Sequence, residues 1–135
     1  MEIRDTMLPV LRPLGGEEEV QALREVIESG WWGKGPKVAE FEEKFAEMVG
    51  AKYAVAVTSA SHGQDLVMKA KGFKGIDVIN PTMSFIATAT IPLWNDCTTN
   101  IVDVREEDLN IDPDDVKKRL KRNSDCLVAV NMAGI

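Results

Sequence analysis

The segment Tyr-Ala-Val-Ala-Val-Thr-Ser-Ala-Ser-His-Gly-Gln-Asp-Leu, residues 53–66, is the most informative part of this chain. Its apolar beginning, Tyr53 to Val57, predicts a buried strand, which small residues separate from a helical pattern. Small residues allow a tight turn, and the first N–H groups of the helix point back at that turn with a partial positive charge. Such a turn favours an anion, usually a phosphate. Many Ser/Gly-rich turns between strands and helices bind nothing, so the turn alone does not establish a site.

Composition and charge restrict the class of protein. A chain of 135 residues has room for one domain with a single modest core. With 44% hydrophobic and 28% charged residues, it has the composition of a soluble globular protein. A net charge of −6 argues against a nucleic-acid partner. The one basic cluster is interpreted as a solvated helix face; it comprises Lys117, Lys118, Arg119, Lys121 and Arg122.

Cysteine usage and hydropathy give no sign of a metal, redox or membrane function. Cys97 and Cys126 are far apart, without metal-binding or redox spacing, and are predicted to be plain buried thiols. The N-terminus opens with charged residues, which does not resemble a signal peptide, and no apolar run approaches the length of a membrane span. A cytoplasmic location without a membrane partner is therefore expected.

Two helices are predicted before the opening segment. Residues 1–14, with Pro9 and Pro13, are predicted to be an extended arm. A first helix follows Gly15-Gly16 and ends at Gly30; its apolar stripe is Val20, Leu23 and Ile27. A second helix over residues 37–49 ends at Gly50, and its stripe is predicted to be core: Val38, Phe41, Phe45, Met48 and Val49.

Strands and helices alternate after the opening segment. Helices are predicted over 62–71 (with Leu66, Val67 and Ala70 inward), 84–93 and 113–121 (capped by Asp112), and strands over 77–80, 100–104 and 126–131. This order predicts an α/β fold with a mostly parallel sheet and helices on both faces. The last strand has no helix after it to cover the sheet, so half of a domain is expected.

The loop Trp31-Trp32-Gly33-Lys34-Gly35-Pro36 allows two interpretations. In the structural one, a tryptophan ring is buried against the next helix, as large aromatic side chains commonly are. In the functional one, the loop presents an aromatic ring and Lys34 to a ligand or a partner subunit. The composition of the loop favours the structural interpretation.

Eight motifs in sequence order resemble the N-terminal part of the DegT/DnrJ/EryC1/StrS aminotransferases. They are Gly15 to Glu19, Ser29-Gly30-Trp31, Gly35 to Glu42, Val55 to Ser61, Asn80 to Ala89, Val102-Asp103-Val104, Leu109 to Pro113, and Val130 to Gly134. No single motif is diagnostic, but their order and spacing over residues 8–135 are specific. The resemblance implies the first part of a fold-type I large domain, and a truncated domain is expected. Residues 1–35 would form the arm, helix and Trp/Gly loop, and residues 36–135 a partial cofactor-binding domain.

The resemblance also implies site residues. Ala60 and Ser61 would hold the phosphate of pyridoxal 5′-phosphate (PLP), and Phe85 would stack on its pyridine ring. His62 replaces a small residue at this turn, within reach of the phosphate, and Gly63, Gln64 and Asp65 depart from the usual apolar run. The loop containing Trp31, Gly33 and Lys34 resembles one near the active site at a dimer interface. With this resemblance, the structural and the functional interpretations of the loop are equally favoured.

The implied activity is transfer of an amino group, typically from glutamate, to a nucleotide-linked keto sugar by a homodimer. A subclass with histidine in place of the Schiff-base lysine removes a sugar hydroxyl instead. That lysine and the acid facing the pyridine nitrogen lie beyond residue 135 in the family, and none of the lysines here matches the lysine motif. The 135-residue chain alone is therefore expected to have no catalytic residue and no transaminase activity.

Two other classes of function remain. A non-catalytic domain that binds a phosphate compound or a partner protein is favoured slightly by His62 to Asp65 and disfavoured by the incomplete sheet. A dinucleotide-binding unit would need Gly-x-Gly-x-x-Gly after the first strand. Residues 58–63 offer one glycine, so this class ranks last.

Overall fold

Three parallel strands and five α-helices make up the part of the chain that the computed structural model describes, residue 7 and residues 11–135. Pro9 and most of the predicted arm lie outside it. In chain order the elements are α1 (Glu17–Ser29), α2 (Pro36–Val49), α3 (Ala60–Lys71), β1 (Asp77–Pro81), α4 (Ala87–Trp94), β2 (Thr98–Val102), α5 (Pro113–Arg119), β3 (Ser124–Leu127) and a 3₁₀ turn (Met132–Gly134). They fall into two compact units, one up to Ala56 and one from Val57 to Ile135. The predicted division after residue 35 stays a prediction.

The sheet confirms the predicted α/β architecture. Its strand order is β2-β1-β3, and both pairings are parallel. Val78 of β1 lies opposite Thr99 on one side and Cys126 on the other. All five residues of β1 are buried. Since successive side chains of a strand point to opposite faces, β1 is covered on both faces.

The core of the second unit lies on one face of β1. Met68 of α3, Val78 of β1, Ile91 of α4 and Cys97 form its buried cluster. Cys97 is thus a buried thiol as predicted, whereas Cys126 is only half-buried against the same cluster. On α3 the predicted inward residues Leu66, Val67 and Ala70 are exposed. That prediction was wrong because α3 turns Met68 toward the sheet.

The two helices of the first unit end as predicted, and α2 begins one residue earlier than predicted, at Pro36. Gly30 and Gly50 follow α1 and α2 with φ of 72° and 68°, a left-handed conformation that glycine adopts without strain. The predicted core stripe of α2 was wrong. Phe41 and Phe45 contact each other with ring centroids 5.8 Å apart, yet both are exposed, as are Met48 and Val49. Helical periodicity aligns these side chains, but no second surface within the described part of this unit covers them.

The strand predicted over Tyr53 to Val57 does not form. These residues have no regular secondary structure, and Tyr53, Val55 and Val57 are exposed. A strand needs a neighbour for its backbone N–H and C=O groups, and the sheet formed by β1, β2 and β3 does not pair with this segment. The alternation of apolar residues is typical of a strand, but it does not determine whether another strand pairs with the segment.

The later elements agree in kind with the predictions and differ in their bounds. The helix expected from residue 84 begins at Ala87, the strand expected from residue 100 begins at Thr98, and the strand expected over 126–131 is β3. Asp112 caps α5 as predicted, since its Oδ1 accepts a hydrogen bond from the N–H of Asp114 at 2.9 Å.

A buried carboxylate joins the amino ends of all three strands. Asp77, the first residue of β1, is fully buried, and Thr98 and Asn100 of β2 donate hydrogen bonds to its two oxygens at 2.9 and 2.8 Å. Ser124 of β3 donates to Oδ2 at 2.9 Å. Lys121 Nζ lies 2.7 Å from Oδ1. One member of the basic cluster interpreted as a solvated face therefore neutralises a buried charge.

The environment of Asp77 has opposing effects on its pKa. Burial raises the pKa, but hydrogen bonds from Lys121, Asn100, Ser124 and Thr98 outweigh it and lower the pKa from 3.8 to about 2. Because the folded-state pKa lies below the unfolded one, the stabilisation is fully present above about pH 4. It is lost as the pH falls through 4 toward 2.

We expect Asp77→Asn to destabilise the protein by about 2–4 kcal/mol at pH 7, because the amide leaves Lys121 without its buried counter-charge and turns a donor toward other donors. Urea unfolding at pH 7 and pH 3 measures the effect, which should be smaller at pH 3. Asp114→Asn is the matched control, since its carboxylate is exposed and also pairs with a lysine, Lys117. Its loss should be much smaller, because solvent screens an exposed ion pair. Equal losses in the two variants would contradict the role of Asp77.

Candidate functional site

The turn before α3 keeps the geometry predicted for an anion site although the strand before it does not form. Ser59 is extended, with φ of −163°, and Ala60 begins the helix. The Ser59 hydroxyl accepts a hydrogen bond from the N–H of His62 at 3.2 Å, and its carbonyl accepts one from Gly63 at 3.0 Å. Ser59 is therefore the N-cap of α3, and it fixes the direction in which the helix begins.

Three donors of this turn have no partner within the described part of the chain. They are the backbone N–H groups of Ala60 and Ser61 and the hydroxyl of Ser61. All three belong to the first turn of a twelve-residue helix, whose N-terminal end carries partial positive charge. Two N–H groups and a hydroxyl form a donor set that matches the oxygens of a phosphate.

The imidazole of His62 folds back over the same turn. Its Nδ1 shares a hydrogen bond with the hydroxyl of Thr58, and Ser59 Oγ lies 3.4 Å from the same nitrogen. The ring is exposed to solvent. Thr58 is a residue that sequence reasoning did not single out for this interaction. The sequence feature that could have predicted this hydrogen bond is the spacing of four residues between Thr58 and His62.

The polar residues that follow His62 connect α3 to α4. Gln64 Nε2 donates to the carbonyl of Thr88 at 3.2 Å, and Asn95 Nδ2 donates to Asp65 Oδ1 at 2.9 Å. Lys69 Nζ lies 2.6 Å from Asp65 Oδ2. The Lys69 and Asn95 hydrogen bonds lower the pKa of Asp65. The residues that depart from the family's apolar pattern thus form a polar contact between two helices, and the Asp65 charge is balanced where it lies.

Phe85 lies in the segment between β1 and α4. Its ring is 73% exposed, and its carbonyl accepts the N–H of Thr88 at 3.0 Å as α4 begins. Upstream, Ser84 Oγ donates to the carbonyl of Pro81 at 3.3 Å. Phe85 therefore follows the carboxyl end of a buried parallel strand, the edge where α/β proteins bind ligands. Its stacking on a cofactor ring stays a prediction.

The Trp/Gly loop belongs to the first unit and presents its aromatic rings to solvent. Trp31 and Trp32 are 61% and 77% exposed, so the interpretation with a buried ring was wrong. Trp32 Nε1 donates to the carbonyl of Ile27 at 3.3 Å, and Lys34 Nζ lies 3.4 Å from Glu42 Oε1. A Cβ on Gly35 would lie 3.2 Å from the Trp31 ring, so the ring packs on bare backbone.

A cavity of about 330 Å³ lies beside these two rings. An ion pair between Lys37 and Glu25, with 3.2 Å between Nζ and Oε2, adds charge to its otherwise apolar wall. The lining residues of the cavity are Glu25, Val26, Ser29, Trp31, Trp32, Gly33, Gly35, Pro36, Lys37 and Val38. The loop thus combines exposed aromatic surface, a cavity and lysine side chains.

Other kinds of site are absent from the described residues. None of the helices there is long and apolar enough to cross a membrane. The same residues contain no group of three or more His, Cys, Asp or Glu side chains placed to hold a metal ion.

The sequence profile of the DegT/DnrJ/EryC1/StrS aminotransferase family matches residues 13–135. The chain belongs to this family. Over 132 residues it is 41% identical to the spore coat polysaccharide biosynthesis protein SpsC of Bacillus subtilis (strain 168). The aligned region covers 97% of this chain and 34% of SpsC. The family predicted from these motifs is thereby confirmed.

Solved structures confirm the fold. Escherichia coli GDP-4-keto-6-deoxy-D-mannose-3-dehydratase with bound hydrated PLP superimposes with a TM-score of 0.85 at 28% identity, over 91% of this chain and 33% of that one. 3-Amino-5-hydroxybenzoic acid synthase gives a TM-score of 0.85 at 31% identity, again over 91% and 33% of the two chains. The chain thus has the fold of the first part of fold-type I PLP enzymes and spans about a third of the length of the relatives it matches.

We expect Ser59→Ala to destabilise the second unit by about 1 kcal/mol, because the N–H of His62 loses its cap acceptor. Thermal unfolding followed by circular dichroism measures the loss. Ser59→Asn is the matched control, since asparagine caps as well as serine does, and it should restore most of the stability. If alanine and asparagine have the same effect, capping by Ser59 does not stabilise α3.

Proposed function

We propose that this chain supplies the phosphate turn of a PLP site in an enzyme that transfers an amino group, typically from glutamate, to a nucleotide-linked keto sugar. The observation that carries the proposal is the set of three unpartnered donors at the start of α3 in a member of this family. The functional range of the relatives supports it. SpsC is named for polysaccharide biosynthesis, and the Escherichia coli dehydratase acts on a nucleotide-linked keto sugar with PLP bound.

The residues of this chain fit the phosphate of the cofactor. The N–H groups of Ala60 and Ser61 and the Ser61 hydroxyl would donate to its oxygens, and His62 would stand at its side. The Phe85 ring, exposed at the carboxyl edge of β1, would cover one face of the pyridine ring. When bound, PLP supplies a conjugated pyridine ring that withdraws electrons from the reacting carbon. Ser61 and Phe85 would then bind and orient the cofactor without themselves moving a proton.

Residues outside this chain would complete the chemistry. None of the ten lysines in this chain matches the family's motif for the lysine that bonds to the cofactor. We therefore place that lysine, and the acid facing the pyridine nitrogen, elsewhere in the full-length protein. The full-length protein would act as a cytoplasmic homodimer. A dehydratase differs from an aminotransferase at the lysine position, so the product, a deoxy sugar or an amino sugar, distinguishes the two activities.

The cofactor proposal is tested with the full-length gene product. We expect PLP to bind stoichiometrically and Ser61→Ala to weaken binding about tenfold, because one hydrogen bond to a charged phosphate is removed. Titration of the visible absorbance measures the dissociation constant. Ser29→Ala, which removes an exposed hydroxyl bonded only to the Val26 carbonyl and to Trp31 N–H, should leave it unchanged. Absence of PLP binding, or of amino transfer to any nucleotide-linked keto sugar, would contradict the proposal.

We place the Trp/Gly loop at the nucleotide part of the substrate, because exposed indole rings offer stacking surface to a base and Lys34 offers charge to a phosphate. Trp32→Ala should raise the KM for the sugar substrate about tenfold and leave the PLP dissociation constant unchanged. Trp94→Ala is the matched control, since Trp94 is 76% exposed and belongs to neither site. Equal kinetics for both variants would exclude Trp32 as a substrate contact.

A further inference from the structure

The hydrogen bond between Thr58 and His62 links a titratable ring to the donor set of the phosphate turn. Thr58 Oγ1 and His62 Nδ1 are partners, and within the described residues the ring makes one further polar contact, to Ser59 Oγ at 3.4 Å. Thr58 and Ser59 immediately precede the unpartnered N–H groups of Ala60 and Ser61. The imidazole therefore stands beside the same turn that would receive the phosphate.

The direction of this hydrogen bond depends on the protonation of the ring. In a neutral imidazole with unprotonated Nδ1, that nitrogen accepts the hydroxyl proton of Thr58, which is then committed to the ring. In an imidazolium, Nδ1–H donates to the oxygen of Thr58, and the hydroxyl proton is free to turn toward a bound anion. Taking up one proton from solvent thus adds one hydroxyl donor and one positive charge to the turn.

The charged groups near His62 are held by partners of their own. On its own helix, Asp65 is the carboxylate that interacts with the ring, and Asp65 is already held by Lys69 and Asn95. The helix packed against α3 is α4, whose eight residues contain no ionisable side chain. The strand packed against α3 is β1, where Val78 contacts Met68. Its one ionisable residue, Asp77, is hydrogen-bonded to four partners at the amino end of the sheet.

We propose that His62 makes phosphate affinity at this turn depend on pH, with protonation recruiting the Thr58 hydroxyl as an additional donor. The inference rests on the proposed PLP site and adds a regulatory residue to it. It assigns a function to the histidine that departs from the small residue usual in this family. The affinity of the turn for the phosphate of PLP should rise relative to a non-titrating variant as the pH falls from 8 to 6.

The test compares the full-length protein with His62→Asn, whose amide oxygen can still accept from Thr58 but does not titrate. The dissociation constant of PLP is measured for both proteins at pH 6, 7 and 8. The ratio of the two constants cancels the titration of the ligand and of groups common to both proteins. We expect this ratio to change about tenfold in favour of the wild type between pH 8 and pH 6, as one added charge-assisted hydrogen bond predicts. With pyridoxal, which lacks the phosphate, the ratio should be constant.

Each result separates the two proposals. If both proteins bind PLP with a ratio that does not vary with pH, the inference about His62 is overturned and the PLP site stands. A ratio that varies equally with pyridoxal also overturns the inference, because the phosphate is then not involved. If neither protein binds PLP at any pH, the proposed function itself fails, and the inference fails with it.

Thr58→Val provides the second variant. It keeps the charge of His62 and removes the hydroxyl that protonation would release, so the pH-dependent change in affinity should shrink to the part that charge alone contributes. An unchanged pH dependence in Thr58→Val would overturn the role of the hydroxyl. Circular dichroism spectra of the variants at each pH verify that the comparison is made between folded proteins.

Discussion

The second unit depends on the burial of one carboxylate, that of Asp77. A lone buried charge is strongly destabilising, so the chain must provide Asp77 with partners, and those partners come from β2, β3 and Lys121. Because these partners lie in β2, in β3 and just before β3, satisfying Asp77 fixes the amino ends of the three strands relative to one another. The strands are parallel, so the same arrangement also fixes the spacing of their carboxyl ends. Phe85 follows the carboxyl end of β1.

The position of the proposed phosphate turn is set by the packing of two helices on the sheet. Met68 of α3 and Ile91 of α4 pack on Val78, which sets the helices on the sheet. Gln64 then bonds α3 to α4, and Asp65 bonds α3 to Asn95, the residue that follows α4. Hydrogen bonds depend on direction, whereas apolar contacts do not. These two hydrogen bonds therefore restrict the rotation of α3 about its axis. The donors of Ala60 and Ser61 are thereby oriented by residues one turn further along the same helix.

The sequence predicted what local patterns determine and missed what distant partners determine. The helix ends at Gly30 and Gly50 and the cap of Asp112 depend on neighbouring residues, and they were predicted. The helix predicted over 62–71 forms but begins earlier, at Ala60. The Tyr53–Val57 strand and the burial of Phe41 and Phe45 required a second surface, and they were wrong. Lys121 is separated from Asp77 by 44 residues, so no periodicity could relate them.

The residues proposed to hold the cofactor and the Trp/Gly loop belong to different units, and the two units differ in how much of their surface is buried. Ala60, Ser61 and Phe85 belong to the unit that contains Asp77 and the buried cluster, so their geometry is imposed by packing within that unit. Trp32 and Lys34 belong to the unit in which Ala46 is the one buried side chain of α2 and none of α1 is buried. Ordering their loop costs conformational entropy that few internal contacts offset. The proposed cofactor site would accordingly use a preformed turn, and the proposed substrate contact would use a loop whose order comes with the surfaces that cover it.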